Sequence, residues 1–157
     1  MSRRDQIKMS DEEVLAFLDE ERTVICATNG RDGSPHLMPL WYVVRDGELW
    51  AWTYAKSQKV RNLERDPRAT LQVEAGLAYE ELRGVMFKCD VEIVRDADAV
   101  AGVGRELFAR QAGVGASELP DGIGEMVAQQ APKRVALHFV ERERATWDHR
   151  KLAAGVY

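Results

Sequence analysis

The chain has 157 residues, 45% of them hydrophobic and 31% charged, which fits one folded domain with its own core and excludes a disordered chain. A formal net charge of -4 excludes a general affinity for nucleic acid or anionic membrane, so any anion binding has to come from a local cluster. No apolar run approaches the ~20 residues that span a bilayer, and Met1 to Asp5 lead into no apolar signal core, so the expectation is a cytoplasmic protein.

Taken in chain order, Ser10 and Glu13 form a capping box ahead of Val14, Leu15, Phe17 and Leu18 and predict a helix of about three turns. Thr23 to Thr28 is a short strand closed by the turn Asn29 to Gly33. Pro35 to Val44 is a second strand, and the turn Arg45-Asp46-Gly47 leads into a third, Glu48 to Tyr54. These three predict an antiparallel meander joined by Asp-Gly turns. A short basic helix opens at Ser57 and ends at Asp66-Pro67, because the residue before a proline leaves the helical region. Strands at Arg68 to Glu74 and Leu82 to Val94 follow. Next come a helix from Asp96 to Gln111 with Val100, Val103, Leu107 and Phe108 as its apolar stripe, a loop over Gly113 to Pro120, a weaker helix over Asp121 to Gln130, and a last strand from Lys133 to Trp147. Six turn-linked strands with helices between them predict a mainly β fold, a small antiparallel barrel with peripheral helices, as a single domain over residues 1–157. No GxGxxG leads from a strand into a helix, which leaves a Rossmann domain unsupported. Cys26 and Cys89 sit in apolar β-like runs without a CxxC and read as buried free thiols. The three histidines are scattered, so no metal site is expected.

The most informative stretch is Trp50 to Pro67. A strand of aromatic residues stops at Ser57, an N-cap position, and Lys59 and Asn62 lie three apart on one face of the helix that follows. Free backbone N–H groups, a hydroxyl and several cations at a helix start make a site for a phosphate. Trp50, Trp52 and Tyr54 upstream offer an apolar wall for an attached ring system. The other reading of the same spacing is a solvated amphipathic helix with Val60 and Leu63 in the core. Under either reading Lys59 is expected to be exposed, and its removal to change stability little.

In Asp32 to Pro39, in Thr53 to Leu63 and in Asp66-Pro67-Arg68, in that order and at these spacings, the sequence resembles the FMN-binding split-barrel superfamily of the pyridoxamine 5'-phosphate oxidases. It is most similar to the branch of small oxidoreductases that use the deazaflavin coenzyme F420, and the resemblance runs from the first helix to Trp147. It implies a six-stranded split β-barrel and a homodimer with the cofactor between subunits. It also implies Ser57, Lys59 and Asn62 at the cofactor phosphate with Lys56 beside them. Met38, Pro39, Trp52 and Thr53 are implied along the ring, and Val73, Glu74 and Ala75 at the pocket border, contributed by a neighbouring strand or subunit. The FMN-using phosphate oxidases tend to carry a basic pair on the strand matching Leu37 to Tyr42, whereas that strand has no cation here. This departure favours coenzyme F420 over FMN.

The resulting expectation is an oxidoreductase that takes hydride from reduced coenzyme F420 to a planar conjugated organic acceptor, with no catalytic side chain named and solvent as the default proton source. The alternatives are an FMN-binding flavoprotein of the phosphate-oxidase kind and a non-catalytic binder of flavin, deazaflavin or tetrapyrrole. The closing segment Thr146 to Leu152 differs from a phosphate-oxidase ending and reads either as a loose terminus or as a tail laid over a partner subunit's pocket.

Overall fold

Period-two alternation of apolar residues builds a single rolled sheet, and four longer helices pack into or around it. The computed structural model describes residues 1–153. Its helices are α1 (Arg3–Gln6), α2 (Asp11–Glu20), α3 (Gln58–Arg65), α4 (Ala97–Ala112) and α5 (Asp121–Gln130). Its strands are β1 (Thr23–Asn29), β2 (Pro35–Trp41), β3 (Val43–Arg45), β4 (Glu48–Tyr54), β5 (Arg68–Ala75), β6 (Arg83–Val94) and β7 (Arg134–Asp148). All neighbours pair antiparallel in the order β2-β1-β5-β6-β7-β4-β3.

The architecture is the mainly β split barrel with peripheral helices expected from the sequence, with two corrections. There are seven strands rather than six, because the run Pro35 to Val44 divides at Tyr42. The meander over the first strands does not form: β2 pairs with β1, β3 pairs with β4, and the two consecutive strands β2 and β3 stand at opposite edges of the sheet. Tyr42 is the cause. Its side chain is fully buried, and its hydroxyl donates to the Leu18 carbonyl at 2.7 Å, with the Glu21 carbonyl at 3.1 Å. The Arg110 guanidinium lies 4.6 Å over its ring and donates to its backbone carbonyl at 3.0 Å. Anchored inward in this way, Tyr42 cannot continue a ladder, and the chain passes from one sheet edge to the other.

Two apolar layers result. Inside the barrel, Val24, Cys26, Leu71, Val73, Val85, Leu137 and Phe139 pack against Val14, Phe17 and Leu18 of α2, each large side chain contributing about 1.5–3 kcal/mol on burial. Outside, Val100, Val103 and Leu107 of α4 cover Val43, Trp52 and Ala136. Cys26 and Cys89 are free and buried, and desolvation pushes both thiols up to about 12.

The closing segment is tied to this chain's own fold and is not a loose end. Thr146 to Asp148 finish β7, and His149 to Lys151 form a 3₁₀ turn. The Asp148 N–H donates to the Ile7 carbonyl at 2.7 Å, the His149 N–H to the Leu82 carbonyl at 2.8 Å, and Lys151 Nζ to Glu13 at 2.6 Å. Residues 154–157, which the single-domain assignment also included, lie outside the described residues. No helix among the described residues is long and apolar enough to cross a membrane.

Candidate functional site

The start of α3 is where the fold leaves donors uncommitted. Ser57 holds the N-cap position with extended backbone, yet its side chain makes no capping bond, and its Oγ is buried without a partner. Helices α2 and α4 differ, whereas α5 starts at Pro120 without a side-chain cap. Ser10 caps α2 reciprocally with Glu13, and Asp96 accepts from the Ala99 N–H on α4. The first turn of α3 contains no acidic residue, so its N–H groups and the positive end of its dipole face no internal anion. Lys56, just upstream, is exposed.

Val60 and Leu63 drive one face of α3 into the barrel, and Lys59 and Asn62 go in with them. This corrects the exposed position expected for Lys59: the residue is only 6% exposed. Its Nζ donates to Thr53 Oγ1 at 3.1 Å and has no carboxylate within ion-pair distance among the described residues. Burial lowers its pKa below the ordinary lysine value. The nearby Cys26 thiol is held protonated by its own burial and offers no compensating charge. Asn62 is fully buried and engaged. It donates to Thr28 Oγ1 at 3.1 Å and accepts from Gln58 Nε2 at 2.9 Å, which ties α3 to β1.

On the other face of the helix, Gln58, Arg61, Glu64 and Arg65 line an open depression of about 650 Å³ together with Arg31 from the β1–β2 turn. The sequence did not single out Arg31. Its signal was its place in a turn whose hairpin register carries it beside α3.

The ring-lining residues divide between two faces. Thr53 points into the barrel with Lys59, whereas Trp52 points outward beneath α4. There Pro39 and Trp52 line a groove of about 510 Å³ with Thr23, Trp41, Phe108 and Arg134. Trp52 is 9% exposed and rests on Gly104, where an added Cβ would fall 2.5 Å from its ring. Arg134 lies 4.4 Å over the Trp52 ring and 4.0 Å over Tyr54. Trp41, 45% exposed, meets Phe108 edge-on at 5.8 Å. Met38 alternates to the opposite side of β2 from Pro39 and is exposed. Val73 is buried inside the barrel, Glu74 is exposed and Ala75 is half-buried. All three are on β5, two strands from β2, so within this chain they stand apart from the groove. Phe108 and Arg134 were missed for different reasons: Phe108 read as plain helix core, and Arg134 gains its meaning only from its register opposite Tyr54.

Among known proteins, the sequence model of the pyridoxamine 5'-phosphate oxidase family matches residues 10–148. A solved structure of a conserved hypothetical protein from Mycobacterium tuberculosis is 41% identical, with 99% of this chain and 98% of that one covered and a TM-score of 0.86. An F420 reductase is 21% identical over 83% of this chain and 94% of its own, with a TM-score of 0.63. An FAD-binding protein from Mesorhizobium loti is 17% identical over 88% and 94%, with a TM-score of 0.65. The last two are likenesses of fold. A search of curated proteins gives no match.

Proposed function

Since the chain belongs to the pyridoxamine 5'-phosphate oxidase family, we propose that it is an oxidoreductase that binds reduced coenzyme F420 and passes hydride to a planar conjugated organic acceptor, working as a homodimer. The observation that carries this reading is the buried Lys59 ammonium, which has a hydroxyl but no carboxylate for company, two residues from an uncapped helix start where Ser57 Oγ lacks a partner. A buried cation without an anion is costly, and a phosphate oxygen is the counter-charge such a site suits. The donor set therefore fits a phosphate-bearing cofactor: Ser57, the first-turn N–H groups and Lys56 from the solvent side, with Lys59 behind them. Asn62 serves by fixing α3 on β1. Pro39 and Trp52 supply apolar surface for a ring, and closure by a second copy keeps water from it. When bound, the deazaflavin supplies the hydride-bearing carbon.

An F420 reductase and an FAD-binding protein share this fold, so the fold accommodates both cofactor classes. The choice between them rests on β2, which carries no cation to add to a flavin phosphate site. The dimer is supported by β2 itself, where Leu37 is 57% exposed and Met38 is also exposed, leaving apolar surface that a second subunit would cover.

Lys59→Ala tests the assignment. Loss of one charge-assisted contact, worth roughly 1.5–3 kcal/mol, should weaken coenzyme F420 binding about ten- to a hundredfold in a fluorescence titration. Arg65→Ala, on the far end of α3, should do much less. Equal, slight losses for both variants would reduce the cluster to a diffuse positive field and overturn the assignment.

A further inference from the structure

Arg134 is the cation that the phosphate reading leaves unexplained. Its guanidinium is half-buried between two aromatic rings, 4.0 Å from the Tyr54 centroid and 4.4 Å from that of Trp52. Its Nε is buried without an acceptor, and the guanidinium makes neither a hydrogen bond nor an ion pair with any described residue. The two rings hold the group in place, and nothing in the chain uses its donors. A planar guanidinium fixed on aromatic faces and lacking an anion is suited to a carboxylate, which it can meet with two parallel N–H groups.

The surroundings define the rest of such a ligand. Arg134 lines the same groove as Trp41, Trp52, Phe108, Pro39 and Thr23. Trp41 and Phe108 stand edge to face, so the exposed Trp41 ring offers a flat surface on which another flat ring can stack. The volume of about 510 Å³ suits a molecule of two or three fused rings. This groove lies on the outer face of β4, whereas Lys59 and Thr53 lie inside the barrel, so Arg134 and Lys59 serve different anions.

We propose that the groove binds a planar aromatic carboxylate, with Arg134 reading the carboxylate and Trp41 stacking on the ring. That this ligand is the hydride acceptor rests on the proposed reductase reading; that the groove binds it does not. Specificity for an acid over its neutral isostere then resides in one side chain.

Equilibrium dialysis of the cofactor-free protein against 2-naphthoate and, separately, 2-naphthamide tests this without any turnover. The carboxylate is expected to bind about tenfold or more tighter than the amide. Arg134→Gln should remove that difference by weakening naphthoate alone, and Arg134→Lys should restore part of it. Trp41→Ala, at an exposed position that the fold does not need, should weaken both ligands together. Equal affinity of the wild-type protein for acid and amide overturns the proposal, and so does a parallel loss of both in Arg134→Gln. Should Arg134→Gln fail to fold, the wild-type comparison and Trp41→Ala still decide. Coenzyme F420 affinity, measured on each variant in separate samples without naphthoate, reports on the cofactor assignment.

Discussion

Lys59 is the residue at which folding and binding pull in opposite directions. The apolar pair Val60 and Leu63 was legible in the sequence, and so was the spacing of three that puts Lys59 and Asn62 on one face. That the helix rotates far enough to bury the ammonium depends on its docking against Thr28 and Thr53, which no local pattern contains. Because desolvation lowers the Lys59 pKa in the folded state, the native chain holds fewer protons than the unfolded chain between that lowered value and the ordinary 10.5. Stability therefore rises with pH across this window and is lost as pH falls through the folded value. Lys59→Met, which keeps the stem and deletes the charge, should stabilise the cofactor-free protein at neutral pH by on the order of 1–2 kcal/mol. It should also flatten the alkaline slope. Urea midpoints at neutral and alkaline pH check both. A variant less stable than wild type at neutral pH would mean that the ammonium is adequately solvated and awaits no anion.

At the scale of elements, the instructive failure is Tyr42. Strand content, the capped α2 and the apolar stripe of α4 could all be read from periodicity, because alternation and i, i+3, i+4 spacing survive in any fold that buries them. The division of the run Pro35 to Val44 could not, because nothing local distinguishes a tyrosine within a strand from one whose hydroxyl is anchored on the end of α2. Pairing of β2 with β1 alone follows from that anchor and opens the groove between the outward faces of β2 and β4. Tyr42→Phe should cost about 1 kcal/mol, the lower range for a lost buried hydrogen bond, because Arg110 also donates to the Leu18 carbonyl and keeps it paired. A lower denaturation midpoint with an unchanged slope is the expected record. No loss at all would mean that the break in the strand is held by Arg110 and not by the hydroxyl.

For the whole molecule, the sequence motifs pointed to the start of α3 as a candidate anion site but did not separate the two faces of the sheet. Period-two alternation separates Trp52 from Thr53 and Pro39 from Met38: Trp52 and Pro39 line the outer groove, Thr53 faces the barrel interior and Met38 is exposed. Glu74 and Ala75, two strands from β2, would border a groove only across a subunit boundary, which joins the cofactor assignment to the dimer. Sedimentation of the protein with either coenzyme F420 or FMN, followed at the cofactor's own absorbance, tests the two together. Coenzyme F420 is expected to sediment with a species of twice the 17.7 kDa chain, at concentrations where FMN remains free. FMN sedimenting equally well, or coenzyme F420 carried at full affinity by a single chain, would contradict it.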